Sequence, residues 1–70
     1  MRYTVNYCGG FFYGDNENGV NTHGYSNFNE AICVFREIIM SGIDENAYLK
    51  DEEYCCYMYW DPKKKECYWS

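Results

Sequence analysis

The stretch from Ser26 to Gly42, SNFNEAICVFREIIMSG, is where a helical apolar period, a start signal and a stop signal coincide. Asn27 suits the capping position, and Glu30, three residues on, is spaced to reach back to the Asn27 backbone N–H in a capping box. Gly42 suits the left-handed position just past a helix end, which sets Ile43 against Ile38. These signals predict a helix over 27–41. At 100° per residue, Phe28, Ala31, Ile32, Phe35, Ile38 and Ile39 fall on one side. Burying the five large side chains of that stripe is worth roughly 1.5–3 kcal/mol each before entropy, comparable to the whole net stability of a small domain. The stripe therefore demands a partner surface, with Ile32, Phe35 and Ile39 expected at its most buried points.

Strand patterns on both sides of the helix supply that surface. Residues 2–8 alternate, with Tyr3, Val5 and Tyr7 on one face and Arg2, Thr4, Asn6 and Cys8 on the other. Gly9-Gly10 then reads as a two-residue hairpin turn, leading into a short second arm at Phe11, Phe12 and Tyr13. A further strand from Val20 to Gly24 is one reading of the next segment, and an ordered loop over 14–26 is the other. After the helix, 43–53 reads as a polar connection rich in acid: Asp44, Glu45, Asp51, Glu52 and Glu53 against Lys50 alone. YCCYMYW, residues 54–60, is strand-like in composition. The turn DPKKKE follows, and Cys67 to Trp69 return as a last strand.

If Trp60 faces Cys67, then Tyr54, Cys56, Met58, Trp60, Cys67 and Trp69 share a face that matches the helix stripe. Cys55, Tyr57, Tyr59 and Tyr68 share the other. The expected architecture is α+β: hairpin, helix, hairpin, with one helix on one face of a small antiparallel sheet, in a single domain over 1–70. One helix covers one face only, so a tyrosine-lined face is left either solvated or used as an interface.

With 11 Asp+Glu against 6 Lys+Arg, the formal charge is −5, and half of the positive charges sit together at Lys63, Lys64 and Lys65. Such a surface repels nucleic acid and anionic membranes and favours basic partners, although acidity also serves solubility alone. No apolar run approaches the ~18 residues that span a bilayer. No secretory h-region follows Met1, so a cytoplasmic location is expected.

The chain has 5 cysteines, an odd number, and a reducing compartment would keep them as thiols or metal ligands. No C-x₂-C pair is present, so a metal site has to be assembled by the fold. An antiparallel pairing of the first and last strands would bring Cys8 to Cys67, with His23 as third ligand and another Cys or Asp15 as fourth, giving a zinc staple for a small core. The alternative is that the cysteines are scattered small hydrophobes. Neither a nucleophile–base pair nor a phosphate-binding loop can be named, so an enzyme is not expected. Two functions from different classes remain: an inhibitory interaction protein, or a zinc-stabilised structural or adaptor module with incidental acidity.

The acidic set Asp15, Glu17, Glu30, Glu37, Asp44, Glu45, Asp51, Glu52 and Glu53, together with Tyr57, Tyr59 and Tyr68, gives the chain a recognisable character. A tiny acidic domain with one helix, one sheet and many exposed aromatics resembles the phage-encoded inhibitors of bacterial defence, anti-CRISPR proteins in particular. The resemblance is one of overall character and rests on no signature motif. It implies a protein acting in the host bacterial cytoplasm on a basic nucleic-acid-binding enzyme, an RNA-guided CRISPR effector nuclease. It further implies that the chain blocks target DNA by mimicking its charge. On that reading Asp44, Glu45, Asp51, Glu52, Glu53, Tyr57, Tyr59 and Tyr68 form the partner-binding surface.

Overall fold

A computed structural model of the chain describes residues 1–10 and 19–70. Its elements run β1 (Tyr3–Cys8), β2 (Val20–Tyr25), α1 (Phe28–Met40), β3 (Tyr48–Asp51), β4 (Cys56–Asp61) and β5 (Glu66–Trp69). The strands form one antiparallel sheet in the order β2-β1-β3-β4-β5, with α1 packed on one face. This is the expected α+β arrangement, and the 17 Å short dimension is that of two layers.

Asn27 and Gly42 bound α1 as the sequence implies, but the expected capping box is incomplete, because Glu30 makes no bond back to the Asn27 N–H. Asn27 is the cap; its Oδ1 accepts the Asn29 N–H at 2.7 Å and its carbonyl accepts the Ala31 N–H. At the other end Gly42 takes φ +76, and its N–H donates to the Ile39 carbonyl at 3.1 Å. Ile43 then turns back to pack, half-buried, against the core.

Ala31, Phe35, Ile38 and Ile39 are buried together with Val5, Tyr7, Ala47, Leu49 and Met58. Ile32, expected among the most buried, is only half-buried. The reason is lateral: α1 lies over β1, β2 and β3 and leaves β4 and β5 largely uncovered, so the Ile32 flank of the stripe looks across an open step.

Three sequence expectations are corrected. First, β1 has its hairpin partner in Val20–Tyr25, with Cys8 opposite Val20 and Tyr3 opposite Tyr25. Its other side is taken by β3. The second arm expected at Phe11, Phe12 and Tyr13, and with it Asp15 and Glu17, lies outside the described residues. Second, the supposed polar connection contains β3, an interior strand of the sheet, with Leu49 fully buried and Asp51 buried beside it. Third, β4 begins at Cys56 rather than at position 54, because residues 52–55 form a turn in which Cys55 takes φ +55. Tyr54 thereby leaves the inner face and stands exposed, with the Arg2 guanidinium 5.2 Å from its ring.

The partition of the last hairpin is as expected from its alternation. Trp60 pairs with Cys67 and Met58 with Trp69 on the helix side, while Tyr59 pairs with Tyr68 on the other.

Asp51 can face inward because Arg2 neutralises it. The guanidinium donates from Nε to Oδ1 at 3.2 Å and from Nη2 to Oδ2 at 3.1 Å, and Asp51 also accepts the Glu53 N–H. The hydrogen bonds from Arg2, helped by backbone donors, hold the Asp51 carboxyl below its ordinary range. A depressed folded-state pKa adds stability that is complete above the unfolded value near ~4 and is lost as pH falls through the folded one. The contribution of this pair to melting temperature should therefore be level above roughly pH 5 and be lost in acid. Arg2→Ala should move the acid limb upward toward about pH 4, where an unassisted aspartate titrates. An acid limb that does not move in Arg2→Ala would assign the titration to another group.

Candidate protein-binding face

The face of the sheet opposite α1 divides into two halves. On β2, β1 and β3 it is a hydrogen-bonded polar chain: Thr22 donates to Asn6 Oδ1 at 2.7 Å, Asn6 donates to Thr4, and Thr4 donates to Glu52 at 3.1 Å. Lys50 closes the chain through its ion pair with Glu52 at 3.3 Å, and this contact raises the lysine pKa. These bonds link the three strands across that half and fix its shape.

On β3, β4 and β5 the same face is aromatic. Tyr48, Tyr59 and Tyr68 come from three successive strands at ring separations of 6.2 and 6.0 Å. Tyr57 sits against both Tyr48, at 5.6 Å, and Tyr59, at 6.3 Å. The four rings form a continuous platform with Tyr59 at its centre, rigidified by mutual contact and by Lys50, whose ammonium lies 5.5 Å from the Tyr57 ring. Strand register makes the platform: Tyr59 opposes Tyr68, and Lys50 opposes Tyr57.

Carboxylates border it at both ends. Asp61 and Glu66 face each other across β4 and β5, one register step beyond Tyr59 and Tyr68 on the same side of the sheet. Beyond Tyr48, a concavity of about 430 Å³ is lined by Asn6, Tyr7, Cys8, Val20, Asp44, Asn46 and Tyr48. Rings that carry a negative face, rimmed by carboxylates, suit the guanidinium and ammonium groups of a protein partner. The fold already uses this chemistry internally, because Arg2 lies 5.1 Å from the Tyr3 ring and 5.2 Å from that of Tyr54.

Of the residues expected at the partner surface, Tyr57, Tyr59 and Tyr68 are brought together. Tyr48, which completes the platform, was hidden in the segment read as a connection. The acids divide differently. Asp51 is buried on Arg2; Glu53 pairs with Arg2 at 3.0 Å and Glu52 with Lys50. Asp44 accepts the Cys8 N–H at 2.8 Å and the Asn46 N–H at 2.9 Å, so it fastens the post-helix loop to the end of β1. Glu45 is exposed. Three acids of the densest run thus share two cations within the fold, and Asp61 and Glu66 are carboxylates placed beside the platform that residue spacing did not single out.

The proposed ligand trio Cys8, His23 and Cys67 is not assembled. β3 and β4 lie between β1 and β5, a separation of roughly 14 Å at the usual strand spacing. Cys8 is exposed and opens onto the tyrosine side, while Cys67 packs toward the helix. His23 instead stacks on Tyr7, with its Nε2 3.1 Å from the Tyr7 hydroxyl, and so gives a polar partner to a tyrosine that is 2% exposed. Among the described residues no group of three His, Cys, Asp or Glu side chains is placed to hold a metal ion.

The thiols differ in environment. Burial pushes the Cys67 thiol pKa up, with Arg36 opposing in part, whereas Cys8, Cys33 and Cys55 are exposed. Iodoacetamide applied to the native protein should alkylate Cys8, Cys33 and Cys55 well before Cys67, as read by peptide mass mapping. Labelling of Cys67 at the same rate as the other three would mean that the β4–β5 hairpin does not cover it.

Among the described residues no helix is long and apolar enough to cross a membrane. The chain matches no protein-family model, and neither a curated protein nor a solved structure matches it.

Proposed function

We propose that this chain is a stoichiometric binding protein whose tyrosine face docks on a basic nucleic-acid groove of a partner enzyme. In keeping with its anti-CRISPR-like character, we take that partner to be an RNA-guided CRISPR effector nuclease. The observation that carries this reading is the four-ring platform of Tyr48, Tyr57, Tyr59 and Tyr68, bordered by Asp61 and Glu66 in a chain of formal charge −5. An effector holds its target in a channel of Lys and Arg. Those cations meet the negative faces of the rings and the bordering carboxylates, while the rings supply the desolvated contacts that slow dissociation. Target DNA is then excluded by occupancy, with no turnover.

The test is a displacement assay in which the purified chain competes with labelled target DNA for an effector loaded with guide RNA. The expected result is DNA release at one equivalent of inhibitor, weakening as salt rises because charge supplies part of the encounter. Unchanged DNA binding at a tenfold excess across the RNA-guided effectors tested would remove the nuclease reading.

A further inference from the structure

A helix about 10–12 Å across does not cover five strands at about 4.8 Å spacing. In this fold the uncovered part is the helix side of the β4–β5 hairpin, and the step between it and the flank of α1 is a groove. Trp60 contributes to its full length. The larger part, about 370 Å³, is lined by Ile39 and Met40 from the helix and Pro62 from the turn. A smaller part of about 220 Å³ continues past Ile32 to Cys67 and Glu66.

Arg36 from the helix and Lys65 from the turn line both parts. Arg2 and Lys50 carry ion pairs; Arg36 and Lys65 form none within the described residues. An apolar groove with a cation on either wall, and with Glu66 at one end, is thus set into an acidic protein. The turn that presents Lys65 is ordered by Asp61, whose Oδ1 accepts the Lys63 N–H at 2.9 Å and the Lys64 N–H at 3.2 Å. Lys65 itself takes φ +54, a conformation that glycine adopts without penalty and a side chain does not. The fold bears that cost and gains a cation on the groove wall.

We propose that this groove binds an acidic peptide segment of a partner protein, with an aliphatic or aromatic side chain seated on Trp60 and its carboxylates paired to Arg36 and Lys65. Charge complementarity selects an acidic occupant. The formal charge of −5 and the small number of cations at the groove argue against a phosphate polymer or an anionic bilayer, either of which would meet repulsion over the rest of the surface. A groove open along its length holds an extended segment better than a small molecule, which needs most of its surface enclosed. The site lies on the side of β4–β5 opposite the tyrosine platform and stands independently of that face.

A library of random dodecapeptides displayed on phage, panned on the full chain at low salt and depleted on Arg36→Glu/Lys65→Glu, tests this. Both positions are exposed, so the double variant should keep the circular dichroism of the parent. The expected consensus carries two or more Asp or Glu around one Leu, Ile, Phe or Trp. The synthetic consensus peptide should shift Trp60 emission in a Trp69→Phe background, and should bind the double variant about tenfold or more weakly, a loss of about 1.4 kcal/mol. Tyr68→Ala, on the other face, should leave its affinity unchanged. Lys65→Gly should relieve the backbone and raise the melting temperature by a few degrees while weakening the peptide, a combination that a purely structural lysine would not give. Absence of a consensus, a consensus without acids, or equal binding to Arg36→Glu/Lys65→Glu would overturn the proposal. So would tighter binding of a 20-nucleotide DNA strand or of phosphatidylserine vesicles than of the peptide.

Discussion

Replacing Phe35 by alanine should cost ~3–5 kcal/mol and leave the domain largely unfolded in the absence of stabilising solutes. Phe35 is 0% exposed at the middle of α1, clustered with Val5, Tyr7, Ile38 and Leu49. Loss of the ring opens a cavity where the helix meets β1, β2 and β3, the strands it covers most fully. The core of nine buried apolar residues among those described has little left to compensate with. Urea denaturation followed by circular dichroism gives the size of the effect. Ile32→Ala is the internal comparison: the same helix stripe, but half-buried at the groove, so its cost should be clearly smaller. Equal costs for the two variants, or a Phe35→Ala protein that melts cooperatively at the parent temperature, would mean that α1 presents another face to the sheet.

The second large effect concerns binding. Tyr59→Ala with Tyr68→Ala should weaken the partner by about 2 kcal/mol or more, roughly 30-fold, while the fold survives. Tyr59 touches the other three rings of the platform, so its loss separates Tyr48 and Tyr57 from Tyr68. Tyr68 is 47% exposed and adds contact area at little structural cost. Mutually packed rings lose little rotamer freedom on binding, which concentrates affinity on them. Competition against labelled target DNA, with melting curves on the same samples, separates binding from stability. A double variant that melts like a folded domain and still displaces DNA at one equivalent would remove the tyrosine face from the mechanism.

Charge reversal at Asp51, Glu52 and Glu53 is a poor test of electrostatic mimicry in this fold. Asp51→Lys would set a lysine against Arg2 at a buried position, and Glu52→Lys would break the pair with Lys50, so loss of activity would report unfolding as readily as lost attraction. Glu45 and Glu66 are exposed acids near the tyrosine face at which reversal tests charge with the core intact.

The helix and the last hairpin were legible because their signals are local. Asn27, Gly42 and the apolar period act within a few turns of one another, and alternation along 56–61 assigns Tyr57 and Tyr59 to one face whatever lies beside it. β3 was not legible, although Ala47, Leu49 and Asp51 keep a strict period of two in burial. An aspartate at an inward position hides that period, and the arginine that makes it tolerable is 49 residues away. The same long-range pairing misplaced the acidic surface: a run of carboxylates in sequence reads as exposed charge until its cations arrive from other strands. Strand order is equally non-local, and insertion of β3 beside β1 is what separates Cys8 from Cys67.

Placement of α1 off-centre divides the molecule by local stability. β1 and β3 are hydrogen-bonded on both sides and covered by the helix, whereas β5 bonds to β4 alone and buries none of its four residues fully. Fraying of β5 within the β4–β5 hairpin leaves Phe35, Val5, Leu49 and Met58 in place, so amide exchange in β5 proceeds through fluctuations far smaller than global unfolding. That hairpin bears Tyr59 and Tyr68 on one side and Trp60 and Cys67 on the other.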